Sequence, residues 1–238
     1  MKSVTHLNSE RFEVAFNRIQ DALEKLLGIY NRGFADLVRI GARRHKIIKK
    51  FDDELLQFAR LRNAIVHDKT ELGYYIAEPH EKVVKRIEQI EALLSKPNPC
   101  LSIATKKVIY YFLDDPILKI INEMKHHNYS QFPIYNGGRC VGLLKSRTIL
   151  KWLANQPESL VKLDAVSVND VFVFERKHPM VFVPKSYSIF EIEDVFEEAH
   201  ANKEMIEMAI VTENGKATEK PLGVITPWDL IEIDYLSD

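Results

Sequence analysis

Between residues 8 and 94, apolar side chains return at the three-and-four spacing of a helical face. Phe12, Ala15, Phe16, Ile19, Leu23, Leu26 and Leu27 form one such stripe, and Val83, Val84, Ile87, Ile90, Leu93 and Leu94 form another. The pattern predicts a first helix ending near Gly28, a second over 34–46, a third over 52–66, and a last one opened by Pro79. The segment 73–77 (Gly-Tyr-Tyr-Ile-Ala) interrupts the periodicity. Pro97 and Pro99 then prevent the last helix from continuing, so the helical region is expected to close as a four-helix domain over 1–96.

Beyond Pro99 the pattern changes to short apolar runs alternating with helices, and one order of elements occurs twice. In the first copy a strand is expected over 108–112, then a helix with Asp115 as N-cap and Pro116 in its first turn. A hairpin follows, from 132–135 through Asn136-Gly137-Gly138 into 140–144, and then a helix over 146–153. The second copy repeats this with a strand over 180–183, a helix over 188–199, strands over 208–211 and 222–225 joined by a turn near Asn214-Gly215, and a helix from Pro227. The expected fold class is therefore α+β: a helical bundle followed by two β-α-β-β-α modules within 97–238, module one about 100–155 and module two about 166–238.

Composition narrows the function classes. No run approaches the roughly 20 apolar residues of a membrane span, and no basic stretch precedes an apolar block at the N-terminus, so a cytoplasmic protein without membrane attachment is expected. The 33 Lys and Arg balance 34 Asp and Glu, so any surface for nucleic acid has to be local. The stretch 39–50 (RIGARRHKIIKK) holds six cations in twelve residues, and a solvated helix face accounts for it as well as a phosphate-binding patch does. Cys100 and Cys140 stand outside any Cys-x-x-Cys or Cys/His cluster, which points to reduced structural thiols and no metal site.

The pieces Ser130-Gln131-Phe132-Pro133-Ile134-Tyr135, Gly142-Leu143-Leu144 and Leu222-Gly223-Val224-Ile225-Thr226-Pro227-Trp228-Asp229-Leu230-Ile231 resemble the two halves of a CBS (cystathionine beta-synthase-type) domain pair. The resemblance implies two modules packed through their sheets, with clefts that take AMP, ATP or other adenosine derivatives as regulatory ligands and with no required cofactor. The family's ribose and phosphate signature is Gly, two apolar residues, Thr or Ser, two residues, then Asp; Gly223, Thr226 and Asp229 satisfy it. A carboxylate there can accept ribose hydroxyls while Thr226 faces phosphate. The same residues also make an ordinary helix start, with Thr226 as N-cap, Pro227 first and Asp229 third. Aligning Gly142 with Gly223 puts Lys145 at the Thr position and Thr148 at the Asp position, so one functional site is expected, not two. Lys145 could reach a phosphate or lie solvated at the surface. Glu207 stands at the entry to a strand where some family members present basic residues to phosphates, which leaves a weakly charged or differently oriented ligand as an alternative, and Met180 and Ala209 are expected either to contact the base or to belong to the core.

In the helical half, Leu61-Arg62-Asn63-Ala64-Ile65-Val66-His67-Asp68 resembles the HEPN (higher eukaryotes and prokaryotes nucleotide-binding) family of four-helix proteins. Active members are metal-independent ribonucleases that act as homodimers, which implies catalytic roles for Arg62, Asn63 and His67: His67 as general base or acid, Arg62 holding the phosphate. Arg62 and His67 lie about 140° apart on one helix, so a single helix makes a poor site. Arg62 also falls within the apolar arc of Phe51, Leu55, Phe58 and Ile65, where a structural role accounts for it, and Lys69 stands where some active members carry Tyr. The expected protein is a regulatory homodimer whose CBS pair binds an adenine nucleotide and controls a HEPN-like domain that engages a partner protein. The alternative is a ligand-gated endoribonuclease that takes RNA.

Overall fold

The computed structural model describes residues 7–67, 75, 77–127, 129–157 and 162–231; for Val66 and His67 only the helical backbone is described. Within these residues the chain divides into two compact units, one holding 7–98 with 188–194 and the other 99–187 with 195–231.

The first unit contains four helices: α1 (Leu7–Leu27), α2 (Phe34–Arg44), α3 (Lys46–His67) and α4 (Glu81–Ser95). α1 packs along α4 and α2 along α3. The core joins the predicted helix faces, with Phe12, Ile19, Leu23, Phe51, Leu55, Ile65, Val84, Ile87 and Ile90 almost wholly buried, to Leu37, Ile47 and Ile48, which no predicted stripe included; Leu26 sits at the exposed edge of its stripe. α1 stops at Gly28, whose φ of +65° is the left-handed conformation that ends helices. The start of α1 is capped from far along the chain: the Glu78 carboxylate accepts from Asn8 N–H at 2.7 Å and from Ser9 Oγ at 2.8 Å. Arg11 ties α1 to α4 through Glu81 (3.1 Å) and Glu88 (2.7 Å), and Arg86 ties α4 to Glu54 of α3 (2.7 Å).

The second and third helices differ from expectation. α2 ends at Arg44, His45 alone is extended, and α3 begins at Lys46, a turn and a half before the predicted start. Close packing accompanies the sharp corner: a Cβ at Gly41 would stand 2.6 Å from Ile48 Cδ1 and 3.2 Å from its Cγ2, so any larger residue there would require Ile48 to move. All six cations of 39–50 are exposed, and Arg39 and Lys49 pair with Asp36 and Asp52, as on a solvated face. The segment 73–77 lies largely outside the described residues.

The second unit is α+β, with two three-stranded sheets built alike. The first comprises β1 (Tyr111–Phe112), β2 (Gln131–Asn136) and β3 (Arg139–Lys145), with α5 (Ile117–His127) between β1 and β2 and α6 (Ser146–Ala154) after β3. The second comprises β4 (Met180–Pro184), β5 (Met208–Thr212) and β6 (Gly223–Ile225), with α8 (Ile189–Ala201) between β4 and β5 and α9 (Pro227–Ile231) after β6; α8 crosses the boundary between the two units. In each sheet the first pair is parallel and the second antiparallel. Gly137 and Gly138, both at positive φ, make the β2–β3 turn. Tyr135, Cys140, Leu143, Met208 and Ile210 form a common buried cluster that joins the two sheets.

Three details depart from the sequence pattern. Only Tyr111 and Phe112 of the predicted strand 108–112 pair with β2. Asp115 is not an N-cap: its carboxylate accepts from Phe112 N–H (2.8 Å) and pairs with Lys119 (2.7 Å), closing the turn before α5. An unpredicted short helix, α7 (Val168–Phe172), begins with a Ser167–Asp170 capping box. The two repeats also exchange flanks. Val168 and Val171 are buried in the first repeat's core, where Val168 N–H bonds Asp115 O at 2.8 Å. Conversely, Cys100 N–H bonds Tyr187 O (2.8 Å) and Thr105 forms an antiparallel bridge with Val224.

Candidate functional site

The bridge to Val224 places the segment 105–109 beside the end of β6, and a cavity of about 280 Å³ opens there. Thr105, Lys107, Ser130, Gln131, Thr226 and Asp229 give it a polar side; Val108, Ile109, Phe132, Pro133, Met208 and Val224 give it an apolar one, and the exposed Trp228 stands at the rim. The unpaired run 108–110 thereby acquires a use, since Val108 and Ile109 line the cavity instead of extending β1.

Both sequence readings of the Thr226–Asp229 pair meet here. Asp229 Oδ2 accepts from Thr226 N–H (2.6 Å) and from Thr226 Oγ1 (2.8 Å), which is the helix-start arrangement. Asp229 Oδ1 has no hydrogen-bond partner among the described residues, so half of the carboxylate remains for a hydroxyl in the cavity. The Thr226 N–H is already committed to Asp229, so it does not serve as a phosphate donor.

Gly223 acts one layer back. A Cβ there would stand 2.9 Å from Ala104 Cβ and 3.2 Å from Leu101 Cδ2, so its absence lets the 101–105 segment close onto β6 and bring Thr105 to the cavity. Met180 and Ala209 do not line it. Ala209 is fully buried in the central strand β5, and Met180 packs at the cluster between the sheets. Met208 and Val224 form the apolar wall instead.

Lys145 is not a surface lysine: it is 4% exposed, 3.2 Å from Glu207 and 3.9 Å from Glu175. Glu207 also accepts from Arg147 at 2.8 Å. Burial of a lysine demands such partners, because an unpaired ammonium loses its hydration without compensation. Thr148, at the position equivalent to Asp229, is buried and donates to Glu175. A Cβ at Gly142, the counterpart of Gly223, would overlap the His178 imidazole, with Cε1 and Cγ at 2.6 Å. That ring stacks on Phe172 (centroids 4.9 Å apart, planes 16° apart), and its Nδ1 is shielded from solvent with no partner among the described residues. Burial, and secondarily Lys145, holds the imidazole below its ordinary pKa of 6.5. The space beside Gly142 is thus occupied by the His178 side chain.

In the helical unit, Arg62 lies 5.9 Å over the Phe16 ring, and its Nε is buried with no partner among the described residues. Asn63 is exposed on the same helix, and the His67 side chain lies outside the described residues. Within the apolar arc, Arg62 thus packs against an aromatic face. Among the described residues no group of three or more His, Cys, Asp or Glu could hold a metal, and no helix is long and apolar enough to cross a membrane. Cys100 and Cys140 are buried and in no disulfide among the described residues, and burial pushes Cys140 up to about 11, which keeps it protonated and inert.

The sequence pattern did not single out Thr105, Lys107, Ile109 or Trp228. The first three reach the cavity only through the Thr105–Val224 bridge, a long-range pairing with no local signature; Trp228 lay between two recognised residues and could have been taken with them.

Comparison with curated proteins returns no match. Among solved structures, the chain is similar to the CBS domain of a bacterial CNNM/CorC family Mg2+ transporter in complex with ATP, at 23% identity over 62% of this chain and 95% of that one, with a TM-score of 0.41. It is similar to the CBS domain pair of protein MJ0100 in complex with 5'-methylthioadenosine and S-adenosyl-L-methionine (15% identity, 57% and 94% covered, TM-score 0.40). A CBS domain-containing protein of unknown function from Kribbella flavida matches at 15% identity, 57% and 97% coverage and a TM-score of 0.44. The CBS domain family model matches residues 101–155 and 168–235, more than half of the chain and the same two stretches in which the strand-helix-strand-strand-helix order repeats, and on that match the chain belongs to the CBS domain family.

Proposed function

We propose that the CBS pair binds an adenosine-containing ligand in the cavity at Asp229, and that occupancy of the cavity regulates the output of the helical unit. The observation that carries this reading is the half-free Asp229 carboxylate on the wall of a cavity with one apolar and one polar side. Asp229 Oδ1 accepts the ribose hydroxyls through charge-assisted hydrogen bonds. The adenine lies against Ile109, Pro133, Met208 and Val224, and Lys107 serves an anionic group on the 5' side. Lys145, paired and buried, takes no part as a free phosphate ligand. AMP, ATP and S-adenosylmethionine all share the adenosine chemistry that Asp229 would recognise.

Thermal unfolding of the full chain tests the reading. A ligand that binds only the native state at about 100 times its Kd raises Tm by roughly 5–10 °C for a protein of this size. The expected result is such a rise with at least one adenosine compound and none with Asp229→Ala. No rise with adenosine, AMP, ATP or S-adenosylmethionine overturns it.

For the output, we read the helical unit as HEPN-like and homodimeric, acting on a partner protein without catalysis. Arg62 favours this reading: a guanidinium laid over Phe16 within the apolar stripe has a packing role on its own helix pair. The unpartnered buried Nε of the same residue is the observation on the side of the second reading, a ligand-gated endoribonuclease using Arg62, Asn63 and His67, since a donor left without an acceptor is suited to a phosphate oxygen.

A further inference from the structure

The cavity at Asp229 continues into a second one of about 350 Å³, with which it shares Ser130, Gln131, Thr226 and Trp228. A phosphate chain leaving the nucleoside cavity past Thr226 therefore enters a space lined by Lys145, Arg147 and Glu207. The cations there are already engaged. Glu207 Oε1 bonds both Lys145 Nζ (3.2 Å) and Arg147 Nη2 (2.8 Å), and Glu175 Oε1 stands 3.9 Å from Lys145 Nζ. Counting Glu207 on its wall and Glu175 outside its lining but 3.9 Å from the Lys145 ammonium, two carboxylates offset the two cations, so the second cavity offers a polyphosphate little net positive charge. Lys145 is also too deeply buried to exchange its partners for a ligand without stranding one of the two carboxylates.

Lys107, on the nucleoside cavity itself, is exposed and forms no ion pair among the described residues. The available charge thus amounts to one cation, at the near end. We infer that this site selects an adenosine-type ligand carrying no more than one phosphate, and that Glu207 is the residue that rejects di- and triphosphates. The inference rests on the reading of the cavity as an adenosine site. A terminal phosphate brings roughly −1.5 to −2 charges at neutral pH, and in the second cavity those charges would stand against the Glu207 carboxylate or have to displace it from both of its cations. A single phosphate held by Lys107 avoids that encounter.

Isothermal titration calorimetry of the full chain with adenosine, AMP, ADP and ATP, with divalent metal chelated and salt held constant, tests this. The expected result is AMP binding at least tenfold more tightly than ATP, with Glu207→Gln narrowing the ratio through tighter ATP binding and unchanged AMP binding. Lys107→Ala is expected to weaken AMP toward the affinity of adenosine. ATP binding to the unaltered chain as tightly as AMP overturns the inference while leaving the adenosine reading in place. No binding by any of the four, nor by S-adenosylmethionine in a fifth titration, removes both.

Discussion

His178 shows at the residue scale what the sequence pattern conceals. Nothing in Glu175-Arg176-Lys177-His178 marks His178 as a packing residue, yet its half-buried ring fills the place where Gly142 has no side chain and stacks on Phe172. Because burial lowers its folded-state pKa below 6.5, the unfolded chain binds the extra proton first as pH falls. The stability contributed by neutral His178 is therefore fully present above pH 6.5 and is lost as pH drops from there through the lowered folded value. His178→Phe, which keeps the stack on Phe172, is expected to flatten the decline in urea-unfolding stability between pH 7 and pH 5. An unchanged slope would show that the imidazole titrates as freely in the folded chain as in the unfolded one. Thr226 and Asp229 were legible because Gly-x-x-Thr-x-x-Asp is a local pattern. Lys145 was not, because its partners Glu175 and Glu207 arrive from distant segments.

Elements were read best where their signals are local. The helix faces, the Gly137-Gly138 hairpin and both copies of the strand-helix-strand-strand-helix order follow from periodicity and turn chemistry. The misplaced elements each go with packing that the pattern does not show: the corner at His45 sets Gly41 against Ile48, and the short β1 leaves 108–109 as cavity wall. The flank exchange is the element-scale feature on which the site depends, since Thr105 and Val224 exchange backbone bonds of 3.0 and 3.1 Å. Gly223→Ala would force its new Cβ against Ala104, part of a backbone segment with little room to yield. We expect a loss of about 1–3 kcal/mol in denaturant-measured stability, the usual cost of overpacking, together with weaker binding of any ligand that needs Thr105. A neutral effect on both would mean that the 101–105 segment does not require this close approach.

At the scale of the whole molecule, the helical unit and the CBS pair each have their own core, and the question between the two output readings is chemical. His67→Ala decides it: a ribonuclease loses RNA cleavage while its melting temperature stays within a few degrees, whereas a non-catalytic module cleaves no RNA before or after the change. We expect the second result. What the sequence by itself determined is whatever depends on neighbours along the chain: the α+β class, the repeat, the helix faces and the Thr226–Asp229 pair at a helix start. Periodicity, caps and turns act within a few residues, so they are written locally. The tertiary structure alone decided which residues form the cavity, that the space beside Gly142 is filled by His178, and that Lys145 and Arg147 share the Glu207 carboxylate. Those facts depend on burial and charge pairing between segments distant in sequence, and only the closed fold brings such segments within bonding distance.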